Sequence, residues 1–146
     1  MAKAYVFLAD GFEDIEALGT IDILRRAGIE VKTVSITDSH TVESAHGMKV
    51  EADILFEKNN FSDGDMLVLP GGMPGAANLN AHDGLRSVLL LHDDNKMRIA
   101  AICAAPMILG KLGILQGRRA TCYPGFEEHL DEATYTRELV TTDGHI

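Results

Sequence analysis

Cys103 stands in the stretch IAAICAAP, Ile99 to Pro106, after an apolar run and among alanines. A thiol in such a place can act as a nucleophile. A nucleophile on a sharp strand-to-helix turn needs small neighbours, because a strained backbone leaves no room for bulk. Ala100, Ala101, Ala104 and Ala105 meet that need. Pro106 suits a first helical turn, where its missing N–H costs nothing. A cysteine at such a turn faces the positive end of the following helix, which favours thiolate. Free cysteine is also a common small buried hydrophobe, and spacing alone leaves both readings of Cys103 open.

Two further stretches bear on the choice. In Leu69-Pro70-Gly71-Gly72, the glycines let the backbone approach closely and can turn N–H groups toward an oxyanion. The same residues also make a plain strand-ending turn. Glu16 follows Asp10-Gly11-Phe12-Glu13-Asp14-Ile15 at the start of a helical pattern. An acid there commonly pairs with the helix dipole or with solvent, and spacing favours that reading. A carboxyl within reach of the cysteine can instead share a proton with it, and Glu13 and Asp14 compete with Glu16 for the role.

Of the histidines, His40, His82 and His92 fall in polar turns or at helix ends and read as solvated. His46, His129 and His145 are free to approach a site. No HExxH, CxxC or zinc-type spacing occurs, and His92-Asp93-Asp94 reads as an exposed helix end. Gly72-Met73-Pro74-Gly75 is too loose for a dinucleotide fingerprint, and no GK[ST] is present. Neither a metal nor a cofactor is called for.

These residues need a frame to meet, and strand-like and helix-like segments alternate along the chain. KAYVFLA is a continuous apolar run, as in a strand buried on both faces. DIEALGTIDILRRAG carries Ile15, Leu18, Ile21, Ile23 and Leu24 at broadly helical spacing, with Gly28 as a stop. EVKTVSI reads as a strand, HTVESAHGMKVEADILF as two short strands about His46-Gly47, and DMLVLPGG as a strand ending in a glycine turn. A helix over HDGLRSVLLLHDDNK, a strand over MRIAAIC and a helix over APMILGKLGIL follow. RRATCY predicts a short strand, GFEEHLDEA a weak helix, and ELVTTDGHI a strand, a turn and a new strand. This order predicts an α/β sandwich with a mainly parallel sheet, in which sites lie beyond the carboxyl ends of the strands.

Composition agrees. Residues 1–146 suit a single domain, and 46% hydrophobic with 24% charged residues suits a buried core under a solvated surface. A net charge of -9 without a basic cluster disfavours nucleic acid and anionic membranes as partners. No apolar run is long enough to span a bilayer, and the N-terminus does not read as a signal peptide, so a cytoplasmic location is expected. Cys103 and Cys122 are not expected to form a structural disulfide there.

Taken together, DGFEDIEAL, LPGGMPGAANL and AAICAAPMILGKLGIL resemble the DJ/ThiJ/PfpI superfamily, closest to its Parkinsonism-associated deglycase branch. The likeness runs in order along essentially the whole chain. It implies a flavodoxin-like three-layer sandwich of the class I glutamine amidotransferase kind, assembled as a homodimer. It implies a reactive cysteine on a nucleophile elbow at Cys103. It implies a protonated glutamate hydrogen-bonded to it at Glu16, and oxyanion-binding amides at Gly72 and Ala104, beside Gly71. Three departures matter. The protease-like branch has histidine where this chain has Ala104. The deglycase branch often has histidine where this chain has Tyr123. His46 stands where many relatives carry arginine, in a segment that approaches the partner subunit's cysteine. The likeness also implies a further strand and a long helix beyond Ile146.

The activity implied is conversion of a small reactive carbonyl, of glyoxalase III or protein deglycase type, on an aldehyde or glycated substrate, in a stress-protective role. The alternative is a non-enzymatic redox sensor or chaperone working through oxidation of Cys103. A thiazole phosphate role in thiamine synthesis is weaker, for want of a phosphate loop. A peptidase is weaker still, for want of histidine at Ala104.

Overall fold

The computed structural model describes residues 1–146. Its strands and helices follow in the order β1 (Lys3–Leu8), α1 (Asp14–Arg26), β2 (Glu30–Ser35), β3 (Thr41–Glu43), β4 (Lys49–Glu51), β5 (Ile54–Leu55), β6 (Met66–Leu69), α2 (Gly75–Ala81), α3 (Asp83–Asp94), β7 (Arg98–Ala101), α4 (Pro106–Lys111), β8 (Arg119–Ala120) and β9 (Thr134–Tyr135). The central sheet runs β5-β2-β1-β6-β7. Every pairing in it is parallel.

The unbroken apolar run of β1 follows from its central place. Tyr5, Phe7 and Ala9 enter a core of 21 residues with α2, α3 and α4. Ala4, Val6 and Leu8 enter a core of nine on the opposite face, with Ala17 and Ile21 of α1. A strand covered on both faces has no solvent side for polar residues. The chain leaves β1 toward β5 and returns through β6 to β7, so strand order reverses between β1 and β6. Loops diverge at such a switch point and leave a crevice for a ligand.

α1 begins where the Glu13 carboxylate accepts the Glu16 N–H at 3.0 Å. Past its end, Gly28 holds φ 80°, as the sequence predicts for a stop. The expected apolar stripe is only partly buried: Ala17 and Ile21 are covered, while Ile15 and Ile23 face solvent.

The structure differs elsewhere too. α2 was not expected, because GAANLNA is short and small-sided, yet Ala76 and Leu79 fill the larger core. Ile54–Leu55 adds an edge strand to the main sheet. GFEEHLDEA forms only a 3₁₀ turn at Glu127–His129, since its clustered acids flank few residues to bury. ELVTTDGHI forms no strand: Leu139 and Val140 are exposed, the Asp143–Ile146 turn is closed by backbone bonds, and a single bond from Ile99 N–H to His145 O at 3.0 Å ties it to β7. RRATCY contributes two residues, β8, paired in parallel with β9 as a separate small sheet. No helix is long and apolar enough to cross a membrane.

Candidate active site

Three segments meet beyond the strand ends: the first turn of α1, after β1, carries Glu16, the loop after β6 carries Gly71 and Gly72, and the loop after β7 carries Cys103. Cys103 holds φ 62°, a left-handed conformation rare for a residue with a side chain. Such strain, about 1–3 kcal/mol, persists only where the surroundings enforce it. Ile102 N–H donates to Leu69 O at 3.2 Å and Ala105 N–H to Ile102 O at 3.0 Å, closing a tight turn about the cysteine. Ala104 and Ala105 are fully covered and Pro106 opens α4, as the small-residue argument requires.

Glu16 reaches this turn; Glu13 and Asp14 do not. Gly71 N–H donates to Glu16 Oε2 at 2.9 Å, which brings the carboxyl against the same point beside Gly71 that Cys103 Cβ approaches. Glu13 is occupied as the helix cap, and Asp14 accepts from Ser44 Oγ at 2.6 Å. Gly71 is needed at the crossing: a Cβ there would lie 2.6 Å from Glu16 Oε2, 2.7 Å from Cys103 Cβ and 2.9 Å from Ile102 O. The N–H groups of Gly72 and Ala104, on the turns that flank Cys103, are not engaged by a backbone acceptor.

The electrostatics correct one expectation. The helix after Cys103 was expected to favour thiolate, but α4 has only 6 residues and its dipole is small. Burial pushes the Cys103 thiol up to about 11; the hydrogen bond and charge of an ionised Glu16 push the same way. Only the Ala104 and Gly72 N–H groups oppose them. The position of the proton within the Glu16–Cys103 pair therefore governs the sulfur.

The other candidates divide. Tyr123 meets the cysteine through its backbone, its N–H donating to Cys103 O at 2.8 Å, while its ring is exposed. His46 lies 3.0 Å from Asp14 Oδ1 and 3.9 Å from Glu13 Oε1, on the same helix start as Glu16 but on the outer surface. Asp14 raises the His46 pKa, and Ser44 followed by His46 lowers that of Asp14. Glu13, Asp14 and His46 present ligand atoms within 4.8 Å of one another, a metal-like grouping that no sequence motif marked. Mutual pairing accounts for it without an ion. His145 pairs with Asp93 at 2.6 Å and His129 with Glu128 at 3.7 Å; neither pairs with Glu16 or Cys103.

The remaining histidines are not merely solvated. His92 is 5% exposed and hydrogen-bonded to Gly64 O, His82 Nδ1 accepts from Leu85 N–H, and His40 is bonded to Ala52 O. A cavity of about 750 Å³ opens beside the cysteine, lined among others by Glu16, Cys103, Cys122, Tyr123 and Arg137. That size suits a small ligand. Cys122 was overlooked as a lining residue; its place directly before Tyr123 was the available signal.

The model of the DJ-1/PfpI family matches residues 2–146. The chain belongs to that family. It is 38% identical to Protein DJ-1 homolog B of Arabidopsis thaliana over 99% of this chain but only 33% of the plant protein. The chain thus spans about a third of that relative's length. A deglycase of Pyrococcus horikoshii is 34% identical over 90% of this chain and 78% of its own. Among solved structures, a DJ-1 superfamily protein of Salmonella typhimurium superposes with a TM-score of 0.95 at 37% identity, covering 99% of this chain and 79% of that one. Oxidised DJ-1 of Toxoplasma gondii superposes at 0.93, with 35% identity and the same coverages. The mainly parallel sheet between helical layers is the flavodoxin-like fold of these DJ-1 proteins.

Proposed function

We propose that this DJ-1/PfpI chain is a cysteine-dependent enzyme acting on small reactive carbonyls, of glyoxalase or deglycase type. The observation that carries the reading is the convergence on one strained cysteine of a carboxyl partner and two unengaged N–H groups. The deglycase of Pyrococcus horikoshii, 34% identical, lends it support. In the proposed reaction Cys103 sulfur attacks the aldehyde carbon of methylglyoxal and forms a hemithioacetal. Gly72 and Ala104 N–H groups hold the oxygen that gains charge. Glu16 receives the thiol proton and returns it to that oxygen; it then carries the carbon-bound proton to the neighbouring carbonyl carbon, while the new hydroxyl's proton passes to the neighbouring carbonyl oxygen. The resulting thioester takes up water, releasing lactate and the thiol. Lactate formation by native protein and by Cys103→Ser tests this: the variant should lose at least a hundredfold, and equal rates overturn it.

A second reading, a redox sensor, is favoured by the oxidised form of the Toxoplasma relative. It keeps Cys103 as the reacting atom and predicts oxygen uptake at the sulfur without turnover.

The same reading includes a homodimer. Ile15, Leu18 and Ile23 leave an apolar face of α1 uncovered. Gly19 in mid-helix has nothing within 4 Å of where a Cβ would stand. Glycine there costs about 1 kcal/mol relative to alanine, and close approach of a second subunit would justify it. Sedimentation of native protein and Gly19→Arg reads this directly: the variant should sediment as a monomer.

A further inference from the structure

Cys122 has no part in the carbonyl chemistry, yet it lines the same cavity as Cys103, and both thiols are free and half-buried. Their backbones are clamped together. Tyr123 N–H donates to Cys103 O at 2.8 Å. Covalent geometry then keeps the Cα of Cys122, one residue before the donor, within about 7 Å of the Cα of Cys103. A disulfide spans roughly 4.4–6.8 Å between Cα atoms. Cys122 sits in an irregular stretch between β8 and the 3₁₀ turn, outside any strand ladder.

We infer that Cys122 is the resolving thiol for Cys103: a hydroperoxide oxidises Cys103, and Cys122 captures the product as an intramolecular disulfide. In the first step Cys103 sulfur attacks the peroxide oxygen. The O–O bond breaks, an alcohol or water leaves, and the sulfur becomes a sulfenic acid. In the second, Cys122 sulfur attacks that sulfur, the S–O bond breaks, and water leaves with the Cys122 proton. The two thiols are oxidised by two electrons, the peroxide is reduced by two, and an external dithiol restores the chain. Rotation of the Cys122 side chain toward Cys103 precedes the second step. Burial and the Glu127 charge push the Cys122 thiol up, so disulfide closure accelerates with rising pH. Closure competes with a second peroxide attack that would carry Cys103 to sulfinate.

This requires only that Cys103 be reachable by peroxide, and stands or falls apart from the carbonyl activity. The test is intact-mass analysis after about two molar equivalents of hydrogen peroxide and alkylation, with peptide mapping. Native protein should lose two hydrogens, leave neither cysteine alkylated, yield a linked Cys103–Cys122 peptide and recover with dithiothreitol. Cys122→Ser and Cys122→Ala should instead gain two oxygens on Cys103. Native protein that gains the same two oxygens as the variants, or that links only between chains, overturns the inference. Lactate formation by native protein, before peroxide and after recovery with dithiothreitol, reports separately on the carbonyl reading.

Discussion

A single methyl group at Gly71 should disable the site while leaving the fold standing. The Cβ of Gly71→Ala would stand 2.6 Å from Glu16 Oε2, about 0.8 Å inside ordinary contact at 3.4 Å. It would also press on Cys103 Cβ and on Ile102 O, which is backbone at the base of the cysteine turn. The carboxyl can retreat only by stretching its 2.9 Å bond from Gly71 N–H and its bond to Cys103. Overpacking of this kind costs about 1–3 kcal/mol, or roughly 3–10 °C of melting temperature for a chain of this size. Displacing a reacting group by about 1 Å can cost about 100-fold in rate. Thermal unfolding and kcat/KM for methylglyoxal measured on the same preparation separate the two effects. The expected result is a folded protein, modestly destabilised, with activity down by one to two orders of magnitude. Activity within twofold of native would refute the claim that Glu16 must sit where Gly71 holds it.

Two further outcomes can be measured directly. The pH midpoint for iodoacetamide alkylation of native Cys103 should lie above the ordinary thiol value of about 8.5, because burial and then the Glu16 carboxylate raise it, and Glu16→Gln should lower it; a native midpoint below about 8.5 that rises in Glu16→Gln would refute this. The Asp14–His46 contact should stabilise the fold most between about pH 4 and 6.5. The raised His46 pKa gives stability that is full below its unfolded value and lost as pH rises through the folded one. The lowered Asp14 pKa gives stability lost as pH falls through its folded value. The melting-temperature gap between native protein and His46→Gln should therefore narrow as pH rises above about 6.5; a constant gap would rule out titration as its source.

Much of this was legible in the sequence because it depends on local chemistry. Small residues about Cys103 announce a tight turn, and the structure supplies it with φ 62°. The apolar run of β1 announces burial on both faces. The choice among Glu13, Asp14 and Glu16 was not legible, because it depends on where a distant glycine, Gly71, directs its N–H. His92 was misread for a similar reason: its partner, Gly64 O, lies 28 residues away and beneath the helix rather than beside it. α2 escaped because its burial comes from the neighbouring layer, with no apolar periodicity of its own.

The site and the sheet order are one argument. Glu16, Gly71 and Cys103 come from the segments that follow β1, β6 and β7, which are adjacent in the sheet but far apart in the chain. Parallel strands put all their carboxyl ends on one edge, so these loops must share it. Crowding there is relieved by removing side chains, and Gly71 is the residue whose Cβ would strike the other two elements at once. The closeness that forbids a methyl group is what brings the carboxyl to the sulfur. The same crowding desolvates the thiol and pushes it up to about 11, so proximity alone would leave the cysteine inert. In the proposed chemistry the thiol proton would have to pass to Glu16, which would make the acid a condition of that chemistry and not an accessory to it.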